Sequence, residues 1–325
     1  LFSRSEFVSF HNLTPDTILT TVEQATGLRL TGLVSPLPSY INRVYELCSS
    51  EGKRLIVKFY RPGRWSREAL VDEHRFLADC VEAELPVVAP LSLVDGATLG
   101  QYEDIFFALF DKRAGRQLEI TAQSDWQRLG SLLGRFHSVG ARGAAPNRIT
   151  LTPRRSAAAD VEYLCTQVIP TPLSERYRST ATRIVELSAP MFEDIEIIRL
   201  HGDCHRGNIL DRMDEGLLLI DFDDMVMGPA VQDIWLLLPE RVENAREELE
   251  LLLKGYEQFR DFDRSTIRCI EPLRAMRMIY FAAWCSHQAT DFAFRKNFPD
   301  WGSESYWSRE INDLREQLGF VQDGI

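Results

Sequence analysis

The chain has 325 residues of ordinary globular composition, 45% apolar and 26% charged. That length suits one large fold or two lobes with a sizeable core. Its 37 basic and 48 acidic residues give a net charge of −11, which disfavours nonspecific binding to nucleic acid or anionic membrane. Six scattered cysteines with no C-x-x-C pair argue against a disulfide framework and suit reduced thiols in a cytoplasmic protein.

The first residues, LFSRSEFVSFHNLTPDT, carry no long apolar stretch, so no leader is expected. The first third then reads as strands, at 28–34, 42–48 and 54–60, with a turn around Gly52 between the last two. A helix follows over 65–81, capped by Ser66, with Ala69, Leu70, Glu73, Phe76, Leu77 and Cys80 at helical spacing. PVVAPLSLV (86–94) and YEDIFFALF (102–110) read as two further strands. The polar run DKRAGR (111–116) reads as a linker.

Beyond the linker the pattern turns helical. A helix is expected over 124–140, with Trp126, Leu129, Leu132, Leu133 and Phe136 on one face, then a loop over 141–156 and a helix over 173–189. A short strand at 195–200 leads into RLHGDCHRGNIL, and a second, at 216–224, ends in carboxylates. Helices dominate from 229 to 318. The most apolar of them, MRMIYFAAWC, is too short to span a bilayer and reads as core. The expectation is an α+β, two-lobed fold with a cleft: an antiparallel-sheet first lobe over 1–110, a linker over 111–116 and a mainly helical second lobe over 117–325.

Phosphoryl transfer from a nucleotide needs a cation on the phosphates, a charge that holds that cation, oxygen ligands for magnesium and a carboxylate to orient the acceptor. Lys58 in VKFY sits on a strand, and Glu73 follows fifteen residues later on a helix. Either alone reads as a surface residue. Together they have the order of the lysine–glutamate pair that anchors nucleotide phosphates in kinases. Asp203 and Asn208 have the D-x-x-x-x-N spacing of a kinase catalytic loop, and Asp221 stands at the end of the next strand. Asp203 would accept the acceptor's proton, while Asn208 and Asp221 would bind Mg2+, with Asp221 bridging it to the phosphates of ATP.

Other readings compete for the same residues. His201, Asp203 and His205 form H-x-D-x-H, which with Asp221 or Asp223 would suit zinc or a two-metal cluster; that leaves Lys58, Glu73 and Asn208 without a role. Cys204 beside Asp203 is a poor thiolate. In place of a G-x-G-x-x-G loop, Ser39, Tyr40 and Ile41 offer backbone N–H groups to phosphate, or form a plain hairpin loop with Pro36 and Pro38. The run Lys58, Arg61, Arg64 and Arg67 reads as a solvated connector. Asp233, in GPAVQDIWLLL, is placed to reach back and brace the catalytic loop, and Arg274 and Arg277 receive no catalytic role.

The strings HGDCHRGN and DFD resemble the aminoglycoside-phosphotransferase/choline-kinase branch of the protein-kinase-like superfamily. Within it, SYINRVYEL, VKFYRPGRW, EHRFL, GPAVQDIWLLL, IEPLRAMR and KNFPDW are similar to the stress response kinase A type of bacterial serine/threonine protein kinases, from about residue 10 to 310. The resemblance implies a cytoplasmic ATP- and Mg2+-dependent kinase that phosphorylates protein Ser/Thr and itself and acts in envelope or oxidative stress. It implies Asp203 as proton acceptor, Asn208 and Asp221 as metal ligands, and Ser39 at the loop position associated with ATP. A monomer without nucleic-acid or membrane partners is expected. Asp221 is followed by Phe222-Asp223-Asp224 rather than Phe-Gly, and no A-P-E string follows, so activation-loop control is not implied. A kinase of amino alcohols, sugars or aminoglycosides would share this apparatus.

Overall fold

The computed structural model describes residues 10–39, 41–213, 215–289 and 292–324. The strands are β1 (Leu30–Leu37), β2 (Arg43–Ser49), β3 (Arg54–Phe59), β4 (Gly100–Tyr102), β5 (Ile105–Asp111), β6 (Arg116–Gln117), β7 (Ile198–Leu200), β8 (Ile209–Arg212), β9 (Gly216–Leu219) and β10 (Val226–Gly228). The helices are α1 (Pro15–Thr26), α2 (Arg67–Glu82), α3 (Gln123–Gly140), α4 (Ala158–Tyr163), α5 (Thr171–Ser188), α6 (Val231–Trp235), α7 (Arg246–Tyr256), α8 (Ile270–Gln288), α9 (Phe292–Asn297) and α10 (Glu304–Asp323). The α+β class with an antiparallel N-terminal sheet and a helical C-terminal part is as expected.

The chain forms two compact units. The first runs up to Ala122 and adds Ala145–Arg148 and Arg206–Asp223; the second holds the rest. The boundary therefore differs from the linker expected at 111–116. The reason is hydrogen bonding: β6 pairs with β8, β8 pairs with β9, and Leu219 N donates to Pro86 O at 2.9 Å. These ladders draw residues 206–223 into the first unit.

The first unit is built on an antiparallel sheet of order β1-β2-β3-β5-β4. Side chains alternate across β3, so Leu55, Val57 and Phe59 are buried on one face with Ile18 and Val22 of α1. Lys58 points to the opposite face, between Val44 and Ala108. There Ala108 packs with Leu70 of α2 and with Tyr60. Ser66 caps α2 as expected, its hydroxyl accepting from Ala69 N at 3.2 Å.

Three local expectations are corrected. Helix α1 was not foreseen, although Thr14 caps it, Pro15 opens it and Gly27 closes it at φ 70°. Residues 86–94 form no strand: only isolated bridges involve Val87 and Pro90, and Val94 is exposed. The fifth strand of the sheet is instead β4, because 100–111 folds into the hairpin β4–β5.

In the second unit, α3 and α7 cross at glycine. A Cβ on Gly130 would stand 1.8 Å from Leu252 O, one on Gly134 2.4 Å from Tyr256 O, and one on Gly255 2.0 Å from Gln127 O. Backbone against backbone leaves no room for a methyl group. Gly130→Ala gains helix propensity but overpacks this crossing. It should lower the unfolding free energy by about 1–3 kcal/mol in urea titration, where propensity alone would raise it by roughly 0.5–1 kcal/mol.

Candidate active site

Lys58 is nearly buried in the first unit and its Nζ lies 2.7 Å from Asp221 Oδ1. Burial alone would lower the ammonium pKa, but Asp221, Asp223 and Glu73 together raise it above its usual value. Lys58 is therefore a fixed cation. Asp221 is half exposed and adopts left-handed backbone at φ 62°, a conformation that costs a non-glycine residue about 1 kcal/mol or more. Strand β9 ends two residues before it. Ile220 N donates to Asn208 O at 3.0 Å, so a backbone bond ties Asn208, in the turn Arg206–Asn208, to the neighbour of Asp221.

Glu73 is buried on α2, and its ion pair is with Arg148 at 2.5 Å rather than with Lys58. Lys58 and Glu73 are coupled only through their charges. Arg148 comes from the segment read as a plain loop, and nothing in its local pattern marked it. Its fully buried guanidinium donates to Glu73, to Ala69 O at 2.8 Å and to Asp223 O at 2.8 Å. It also stacks on Trp65 at 4.3 Å. One side chain thus joins α2 to the 221–223 segment.

Asp223 is buried, and its Oδ2 accepts from Asn42 Nδ2 at 2.9 Å and from Arg64. Burial would raise its carboxyl, but Arg64, Lys58, Asn42 and Arg148 lower it. The connector reading is therefore corrected for Arg64, which is an internal ion-pair partner. Ser39 is exposed in the loop after β1, and Ile41 O accepts from Arg61 Nε at 3.1 Å. Tyr40 lies outside the described residues.

The residues expected to hold magnesium fit a hard cation. Asn208 and Asp221 supply oxygen donors, and Asp223 Oδ1 is buried without a hydrogen-bond partner. Among the described residues, no three His, Cys, Asp or Glu side chains converge as metal ligands. The zinc reading of H-x-D-x-H thus lacks its ligand set. Cys204 is buried, and burial with Asp233 and Asp203 pushes its thiol well above the usual range.

Residues 201–205, the first part of the expected catalytic loop, are held within the second unit. Buried Asp233 of α6 accepts from His201 N and Gly202 N, both at 2.9 Å, and contacts His137 Nε2 at 3.2 Å. The predicted brace is present. Gly202 has φ 83°, and a Cβ there would meet Asp224 O at 2.0 Å, so only glycine fits. His201 is fully buried. Asp203 Oδ1 accepts from Arg277 Nη2 at 2.8 Å, and His205 Nε2 lies 3.4 Å from Asp203 Oδ2. Burial would raise the Asp203 carboxyl, but His205 and Arg277 hold it well below the usual range. It is ionised and ready to accept a hydrogen bond.

Residues 34–270 match the phosphotransferase enzyme family. The chain belongs to that family. It is 38% identical over 324 residues to "Stress response kinase A" of Shigella flexneri, covering 97% of this chain and 95% of the relative. It is 37% identical, with the same coverage, to "Serine/threonine protein kinase RdoA" of Salmonella typhimurium. Its fold is shared by amicoumacin kinase hAmiN, solved with AMP-PNP, Ca2+ and Ami, at a TM-score of 0.72 and 18% identity over 93% of this chain and 92% of that one. It is a phosphotransferase with the protein-kinase-like fold of aminoglycoside and choline kinases. No described helix is long and apolar enough to cross a membrane.

Two tests follow from the buried charges. Arg148→Met strands Glu73 and should cost about 3–5 kcal/mol of unfolding free energy. Glu73 is raised by burial to about 7 from 4.5, against the pull of Arg148. The folded chain therefore binds more protons than the unfolded one between those values, and stability falls as pH rises through that window. In unfolding titrations at about pH 5 and about pH 8, wild type should lose stability relative to Glu73→Gln as pH rises.

Proposed function

We propose that the protein is an ATP- and Mg2+-dependent serine/threonine protein kinase. The observation that carries this reading is identity of 37–38% over 97% of the chain to relatives named as stress response and serine/threonine protein kinases. Each unit supplies matching groups: in the first, Lys58 as the phosphate cation and Asn208 and Asp221 as metal ligands; in the second, Asp203 as proton acceptor. Bound magnesium would neutralise charge on the transferring phosphoryl group. Lys58, now paired to Asp221, keeps that carboxylate in place and offers its positive charge to the nucleotide. Asp203 accepts a hydrogen bond from the acceptor hydroxyl and orients it.

Glu73 acts at one remove, through the charge it shares with Lys58 and the latch it forms with Arg148. Ser39 contributes to the phosphate loop. The reading carries with it autophosphorylation, a cytoplasmic monomer and a role in envelope or oxidative stress. A small-molecule kinase is the second reading, favoured by the fold shared with amicoumacin kinase.

With labelled ATP, phosphate should appear in protein Ser/Thr rather than in a metabolite. Asp203→Ala should cut transfer by about 10²–10⁴-fold while ATP still binds, and Lys58→Ala should weaken ATP binding or slow turnover. Undiminished transfer in Asp203→Ala would sink the assignment. Label confined to small alcohols or sugars would favour the second reading.

A further inference from the structure

A carboxylate that orients an acceptor is also an anion, and an unmatched anion attracts cationic alcohols. Asp203 is not unmatched. Within the second unit its Oδ1 is held by Arg277 at 2.8 Å, and its Oδ2 faces His205 at 3.4 Å. A guanidinium stays protonated at every working pH, so an ammonium group brought to Asp203 meets a like charge. A carboxylate brought to the guanidinium of Arg277, at the N–H groups not bonded to Asp203, meets planar donors that suit it. The Arg277 side chain is 41% exposed, and a ligand can reach it.

The rest of α8 extends this surface. Ala275, Met276 and Ile279 are buried and fix the helix. Arg277, Phe281 and Trp284 follow at helical spacing on another face. Phe281 is exposed and stacks on Trp284 at 5.5 Å. Between them, Tyr280 Oη donates to Asp224 Oδ1 at 3.4 Å. From Arg277 to Trp284 the helix rises about 10 Å, further than an amino alcohol reaches but short for a peptide. Arg274, one turn earlier, is committed elsewhere, paired with Glu271 at 3.5 Å and stacked on Trp235 at 4.7 Å.

We propose that Arg277 selects the acceptor: it admits a hydroxyl on a peptide with an acidic side chain beside it, and it turns away cationic alcohols. This rests on Asp203 as the acceptor base and narrows the substrate class. Arg277 is a specificity-determining residue; it receives the acidic neighbour of the hydroxyl, not the hydroxyl itself.

The test uses the full chain and dye-labelled Ser peptides that differ only in carrying Glu, Ala or Lys beside the serine. Binding is read by anisotropy with AMP-PNP and Mg2+, and transfer is read in parallel with labelled ATP, with choline and ethanolamine as small cationic acceptors. Wild type should bind the Glu peptide about tenfold more tightly than the Lys peptide. Arg277→Lys should keep that order and Arg277→Glu should reverse it, an outcome that loss of structure alone does not produce. The same order of preference in wild type and Arg277→Glu overturns the proposal. If the order reverses but no phosphate is transferred, the Arg277 assignment stands and the kinase reading falls. If phosphate reaches the peptides with an unmoved order, the reverse holds. Ethanolamine or choline phosphorylated in preference to every peptide overturns the acceptor selection and the protein-kinase reading together.

Discussion

Burying charge is the constraint around which the first unit is arranged. Lys58, Glu73, Arg148 and Asp223 are all withdrawn from water, and each would cost several kcal/mol unless matched. The match is made in a chain. Lys58 meets Asp221, Asp223 meets Arg64 and Asn42, and Arg148 spans Glu73 and the carbonyl of Asp223. Arg148 makes this one network, because its guanidinium binds both α2 and the segment that carries Asp221. The Cζ of Arg148 lies over the Trp65 ring, 4.3 Å from the centroid, so the guanidinium has an aromatic contact as well as hydrogen-bonded edges.

The second unit solves a related problem with a single carboxylate. Asp233 is fully buried and takes the backbone N–H groups of His201 and Gly202, in the candidate catalytic loop, and a contact from His137. His137 is itself bonded to Tyr256 at 3.0 Å. The loop is thereby fixed to α3, α6 and α7 through polar contacts, while the glycine crossing lets α3 and α7 approach closely enough to supply them. Asp203 projects from this brace with its charge matched by Arg277.

Much of the candidate site was legible in the sequence. Lys58, Asp203, Asn208 and Asp221 are recognisable by spacing and by the strands that precede them, since each needs a set chain position relative to a strand or turn. Asp233 was legible for the same reason. What could not be read were the partners. Glu73 was expected to hold Lys58, yet Arg148 holds Glu73, because a buried carboxylate pairs with whichever cation the fold brings closest. Arg148, Arg64 and Asn42 lie 75, 159 and 181 residues from the groups they bind. No periodicity links positions so far apart.

The sequence by itself determined the α+β class, most but not all of the strand and helix order, the tight turn at Gly202, and which residues are candidates to handle a nucleotide, a metal and a proton. These depend on side-chain chemistry and on patterns a few residues long. Only the tertiary structure decided which cation meets which carboxylate, that residues 206–223 join the first unit, and that Arg277 stands on Asp203. Those outcomes follow from electrostatic matching under burial, where distance through space rather than along the chain sets the energy.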